Sequence, residues 1–128
     1  MPLHAIERHI TFLYTQKLAE TAHFYENLLH LRLVLDQGDC RIYETAPRAY
    51  VGFCKRMLPE GELREGVILT LVTSEVDEWY RSLSAQGVVF EHSPVLNPKY
   101  QIYHCFLRDP NGYRIEIQQF LQPFDAQE

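Results

Sequence analysis

Asp109-Pro110-Asn111-Gly112-Tyr113-Arg114-Ile115-Glu116 is the run of residues that decides how this chain folds. Proline presets the first turn angle and Asn and Gly tolerate the next ones, so the tetrapeptide predicts a tight turn joining two strands into a hairpin. Beyond it Tyr113, Ile115 and Ile117 alternate with Arg114, Glu116 and Gln118, the period of a strand with one apolar and one polar face. In an antiparallel sheet with helices on one side, the apolar face packs on the helices and the polar face looks into water or a chamber. Glu116 therefore stands where a functional carboxylate could be used.

Working back from the turn, Ile102 to Arg108 reads as the first strand of that hairpin and Tyr113 to Phe120 as the second. Before them, Val67 to Val72 is an apolar run of strand length. Ser74-Glu75-Val76-Asp77 then predicts a capping box, with a helix whose buried stripe is Val76, Trp79, Tyr80 and Leu83 and which ends at Gly87, where a positive φ is needed. Val88 to Glu91 reads as a further strand, and His92 to Tyr100 as a polar, Pro-rich loop of the kind that can cover a site or merely connect.

The same order of elements occurs earlier in the chain. His9 to Tyr14 alternates like a strand, and Leu18 to about Leu29 repeats apolar residues at helical spacing. Leu31 to Leu35, Arg41 to Glu44 and Ala49 to Cys54 are three short strands. Phe24-Tyr25-x-x-Leu28 in the first helix matches Trp79-Tyr80-x-x-Leu83 in the second, so each half reads βαβββ and the chain contains an internal repeat. A polar stretch around Pro59-Glu60-Gly61 separates the halves. We expect one domain over residues 1–128, with a first module over about 7–56, a linker over about 57–65, a second module over about 66–121 and a tail at 122–128.

With 128 residues, 46% hydrophobic and 23% charged, the composition is that of an ordinary globular domain. No apolar run nears the length that crosses a bilayer, and Met1-Pro2-Leu3-His4 lacks the start of a signal peptide, so a cytoplasmic protein with no membrane partner is expected. A formal charge of -5 disfavours nucleic acid as a partner, because binding the phosphate backbone relies on Lys and Arg. A small organic molecule is the better default. The three cysteines, Cys40, Cys54 and Cys105, are odd in number and widely spaced, and they read as reduced thiols.

Asp109-Pro110-Asn111-Gly112-Tyr113-Arg114-Ile115-Glu116 and Phe24-Tyr25-Glu26-Asn27-Leu28-Leu29 together resemble the vicinal oxygen chelate superfamily, the glyoxalase, bleomycin-resistance and dioxygenase group. Its members carry D-P-x-G-x-x-x-E near the C-terminus and F-Y-x-x-x-L in the first helix, and the resemblance covers residues 7 to 121. It implies an α+β fold in which two βαβββ modules, related by a pseudo-twofold, form a cup-shaped mixed sheet with helices on the convex face. It further implies a homodimer and, in many members, one divalent metal ion. His9 matches the usual histidine ligand position and Glu116 the carboxylate ligand. The second-module counterpart of His9 falls at about Val67, and Val51, Gly52 and Phe53 occupy the end of the first module, so neither place supplies a donor. His104 is a candidate replacement.

Fold does not fix reaction, and three functions follow from these residues. In the first, the cup sequesters a small organic ligand without a catalytic metal, with Tyr43, Tyr50, Tyr100 and Tyr103 as the aromatic residues that stack on it. In the second, His9, Glu116 and His104 hold a metal for glyoxalase- or dioxygenase-type catalysis. In the third, Glu116 with His9 performs metal-free acid-base chemistry, which requires that the two side chains converge. The remaining histidines, His4, His23, His30 and His92, read as surface or structural residues, and His30 stands at a helix end where left-handed backbone is tolerated.

Overall fold

The computed structural model describes residues 4–57 and 64–123. The middle of the expected linker and most of the expected tail lie outside the described residues. The chain divides into two compact units, Met1–Glu60 and Gly61–Glu128. In the first unit β1 (His9–Thr15) leads into α1 (Leu18–His23), which continues as a π-helical turn (Phe24–Leu28) and is followed by β2 (Arg32–Asp36), β3 (Cys40–Ala46) and β4 (Ala49–Lys55). In the second unit a 3-10 turn (Arg64–Gly66) precedes β5 (Ile68–Val72), α2 (Val76–Ala85), β6 (Val95–Asn97), β7 (Ile102–Arg108) and β8 (Arg114–Phe120). Each unit builds a four-stranded sheet, β1-β4-β3-β2 and β5-β8-β7-β6, with its first pair parallel and the others antiparallel. Two βαβββ modules of the same topology are thus present, an α+β fold as the internal repeat predicts.

The helix side of the first sheet is an aromatic core. Tyr25 lies 4.4 Å from Phe53 between ring centroids and stacks at 6.1 Å on Tyr43. Thr15 on β1 reaches Thr21 on α1 through a hydroxyl pair at 3.0 Å, which fixes Leu13 and Thr15 as the set that faces the helix. The helix ends through a widened turn: Leu29 N donates to Phe24 O and Leu31 N to Tyr25 O, with His30 at φ 58°. That is the left-handed residue expected there. In the second unit Leu83, Cys105, Leu107, Ile115 and Ile117 form the helix-side core. Gly87, at φ 91°, closes α2 with Val88 N donating to Leu83 O, a Schellman-type end.

Three expectations are corrected. The second strand of the second unit is Val95–Asn97, inside the expected loop, and not Val88 to Glu91. Val88 is consumed by the helix end, and Phe90 makes a single bridge to Leu107 before the chain leaves the sheet and returns after Pro94. The capping box is also absent. No side chain caps α2; Glu75 N donates to Thr73 Oγ1, and the Asp77 carboxylate instead accepts the Tyr103 hydroxyl at 2.6 Å.

The third correction concerns the thiols, since Cys40 and Cys54 form a disulfide and only Cys105 is free. Sequence spacing hides this pairing because it depends on register. Cys40 and Cys54 are direct partners across β3 and β4, one step from the pair in which Lys55 N donates to Asp39 O. They therefore occupy a narrow, non-hydrogen-bonded position, with Cα atoms 4.1 Å apart.

Candidate functional site

The Asp109 carboxylate, rather than proline alone, sets the turn before β8. Its Oδ1 accepts the Asn111 and Tyr113 amides at 2.8 and 2.9 Å, and its carbonyl accepts the Gly112 amide, with Gly112 at φ 90°. This fixes where β8 begins and hence which of its residues face away from α2. The period of two then places Arg114, Glu116 and Gln118 on that face. Register adds Thr70 from β5 beside Glu116, Phe106 from β7 on its other flank, and His104 beside Gln118.

These neighbours close a hydrogen-bonded cluster around the carboxylate. Thr70 Oγ1 donates to Glu116 Oε1 at 2.9 Å, Gln118 Nε2 donates to Oε2 at 2.7 Å, and His104 Nδ1 meets the same Oε2 at 2.7 Å. Glu116, His104 and Gln118 are all buried. A carboxyl oxygen has two in-plane lone pairs, and with Gln118 on one, the other must accept a proton from Nδ1. The pairing thereby selects the ring form with hydrogen on Nδ1, leaving Nε2 with a lone pair in the neutral imidazole. Among the described residues Nε2 has no hydrogen-bond partner and is not sealed from solvent. Phe106 and His92 stand edge-on to the His104 ring, with centroids 5.1 and 5.9 Å away, and Arg114 lies 3.7 Å over Phe106. Glu91 holds Arg114 by two contacts, at 2.9 and 3.2 Å. That guanidinium keeps the Glu91 carboxyl below the usual carboxylate range.

The first sheet treats the equivalent place differently. Gly52 of β4 pairs with Phe12 of β1 as Glu116 of β8 pairs with Thr70 of β5. A Cβ at Gly52 would fall 2.5 Å from the Phe12 ring, so the phenyl group lies directly over the glycine backbone. His9 belongs by alternation with Thr11, Leu13 and Thr15, the helix-side set of its sheet, and is exposed at the strand start, with its amide on Arg48 O at 3.0 Å. Glu116 occupies the opposite kind of face in its own sheet.

The four tyrosines are dispersed. Tyr43 is 0% exposed, its hydroxyl donates to Glu26 at 2.7 Å, and burial raises its pKa, so it has no surface to offer a ligand. Tyr103 lies on the α2 side, bonded to Asp77, and that hydrogen bond raises its pKa. Tyr50 shares the Gly52 face of the first sheet, half-buried, and Tyr100 is exposed beyond β6 with the Lys99 ammonium 5.2 Å over its ring. Cys105 sits on the helix side, where burial pushes its thiol up to about 11. Sequence reading missed Thr70, Gln118, Phe106 and His92 as members of the cluster. Gln118 could have been found from its spacing to Glu116, whereas the other three are joined to it only by strand register.

A divalent ion of the kind the resemblance implies needs at least three good donors. No group of three His, Cys, Asp or Glu side chains gathers among the described residues. Glu116 and His104 spend their facing lone pair and proton on each other, and the first sheet offers Gly52 at the matching position. The donor set does not fit the ion.

With this geometry the family can be stated: the chain belongs to the Glyoxalase/Bleomycin resistance protein/Dioxygenase superfamily, whose profile matches residues 7–117. Solved structures share its fold. A glyoxalase/bleomycin resistance protein/dioxygenase from Nocardioides is 19% identical, with a TM-score of 0.77 over 95% of this chain and 87% of its own. A lactoylglutathione lyase from Agrobacterium tumefaciens is 24% identical, with a TM-score of 0.71 over 93% and 96%. A virulence protein from Salmonella typhimurium is 20% identical, with a TM-score of 0.71 over 94% and 99%. No curated protein matches the chain. Among the described residues no helix is long and apolar enough to cross a membrane.

Proposed function

We propose that this protein binds a small organic ligand on the face of the second sheet that carries Glu116 and His104, without a catalytic metal. The observation that carries the reading is that Thr70, His104 and Gln118 all hold the Glu116 carboxylate by hydrogen bonds. A carboxylate held this way orients a neighbouring imidazole and is poorly placed to coordinate an ion. Around this polar centre the same face bears apolar side chains that reach solvent, Ile68 and Val72 on β5 and Val95 on β6. A few convergent polar groups set in an apolar surround are what small-molecule sites use. Two of the tyrosines contribute less than the sequence suggests, since the hydroxyls of Tyr43 and Tyr103 are engaged by Glu26 and Asp77.

Thermal melting of the full chain against a panel of small organic compounds and, separately, manganese, nickel and zinc ions tests this. Organic ligands near 100 times their Kd should stabilise by about 2.7 kcal/mol, a rise of several degrees, and His104→Ala should abolish it. Metal ions should leave the midpoint unchanged. A rise with metal ions and none with any organic compound would reverse the assignment in favour of the metal-dependent reading through His9, Glu116 and His104.

A further inference from the structure

We infer that Asn111 is a masked deamidation site: the folded turn at Asp109 to Gly112 holds back cyclisation of its side chain, and opening the turn releases it, with a product that no longer fits the closed turn. The chain has three asparagines, and the residues that follow them are Leu28, Pro98 and Gly112. Cyclisation needs the next backbone nitrogen to lose its proton and attack the side-chain carbonyl carbon. Pro98 has no N–H to lose and Leu28 crowds the approach with its side chain, whereas Gly112 presents neither obstacle. A bond forms between Gly112 N and Asn111 Cγ, the Cγ–Nδ2 bond breaks, and the nitrogen leaves as ammonia, taking up the Gly112 proton by way of solvent. Water then opens the cyclic imide at either carbonyl, giving aspartate or isoaspartate.

The folded turn opposes this step in three ways. Gly112 N donates to Asp109 O at 3.0 Å, so the proton that must leave is bound. Asn111 Nδ2 donates to Asp109 Oδ2 at 3.3 Å and Asn111 N to Oδ1 at 2.8 Å, which holds the side-chain amide toward the carboxylate. Negative charge develops as the nitrogen attacks. Here it would develop beside the Asp109 carboxylate, in a turn where Asp109 is 5% and Asn111 9% exposed, so both burial and like charge work against it.

Either product damages the turn once it has formed. The Nδ2 donor gives way to a carboxylate oxygen next to Asp109 Oδ2, and two like charges then meet in a buried place. Isoaspartate also routes the main chain through the former side chain. The extra methylene between residues 111 and 112 spoils the spacing of the bond from Gly112 N to Asp109 O. Because β8 starts at Arg114 and carries Glu116, the lesion reaches the strand that holds the carboxylate cluster. The turn thus keeps a chemical record of having opened.

Peptide mapping by mass spectrometry of the full chain, held at mildly alkaline pH either folded in buffer or unfolded in urea, tests this. Conversion at Asn111 should be at least about tenfold slower in the folded chain, since it must wait for the turn to open. Asp109→Ser keeps a hydroxyl for the backbone amides but gives up the charge and the grip on Nδ2. Folded, as circular dichroism checks, it should convert about fivefold faster than wild type, the effect of one hydrogen bond, and unfolded at the wild-type rate. Asn111→Asp supplies the acid form directly, and its urea midpoint should fall below that of wild type. Equal rates for folded and unfolded wild type remove the mask, and no conversion in the unfolded chain removes the site; both comparisons stand whether or not Asp109→Ser folds. An unchanged folded rate in Asp109→Ser takes the mask away from that carboxylate. A wild-type midpoint for Asn111→Asp overturns the misfit of the product.

Discussion

Gly52 and Glu116 occupy matching positions in two sheets of the same topology, and the two sheets handle that position in opposite ways. In the first sheet the position has no side chain, and the Phe12 ring lies across the bare backbone. In the second it carries a carboxylate that three neighbours from three strands hold by hydrogen bonds. One βαβββ plan therefore supports a bare, ring-covered position in one sheet and a buried carboxylate cluster in the other. Helix-side packing builds the module, and the residues on the other face are free to differ. The first unit adds a disulfide between β3 and β4, and the second adds an arginine and glutamate network around Glu91, Arg108 and Arg114.

The largest effect expected from breaking this contrast comes from Glu116→Leu. It makes that position of the second sheet apolar but strands the His104, Gln118 and Thr70 donors. Removing one partner of a buried pair costs about 3 kcal/mol or more, and urea unfolding should show that loss. If stability is unchanged, the cluster does not hold the second face together. Next, replacing Cys40 and Cys54 together by serine should cost about 2–3 kcal/mol, because the cross-link closes a loop and restricts the unfolded chain. Reduction of the wild-type protein should reproduce the loss, and the reduced variant should melt like the oxidised one.

Gly52→Ala sharpens the comparison by asking the first sheet to accept even a methyl group. Phe12, which is 49% exposed, can swing out at a cost, so about 1–2 kcal/mol should be lost. The same substitution in a Phe12→Ala background should cost much less, and equal costs in both would show that the ring does not cover the glycine. The smallest effect lies in the second unit's ion pairs. The hydrogen bond from Arg114 depresses the Glu91 carboxyl below its usual 4.5. A depressed carboxylate contributes stability above its unfolded value, and that contribution is lost as pH falls through the folded value. The gap in melting temperature between wild type and Glu91→Gln should therefore be present at neutral pH and vanish in acid. It should be worth only a few tenths of a kcal/mol, because the pair is partly exposed and screened by solvent.

Much of the candidate site was already visible in the chain. Alternation after the Asp109 turn put Glu116 on the polar face, and His104 stood on the preceding strand as a candidate donor. His9 shows where the reading stopped. Its type and place near the start of the repeat matched a ligand position, yet alternation with Leu13 and Thr15 sets it on the helix side of its sheet. A shift of one residue in a strand reverses the face, and family spacing does not resolve one residue. The tyrosines meet a related difficulty: an aromatic ring satisfies a core as readily as a ligand, and the hydroxyls of Tyr43 and Tyr103 bond to Glu26 and Asp77.

Local chemistry determined all but one of the strands, the two helices, the turn at Asp109 to Gly112 and the repeated βαβββ order, because periodicity and turn preference act between residues close in sequence. Tertiary structure alone decided that Cys40 meets Cys54, that the second sheet takes Val95–Asn97 as its edge, and that Thr70, His104 and Gln118 converge on Glu116. Each of these is a matter of register between strands, and register is set by the packing of whole faces rather than by any short run of residues.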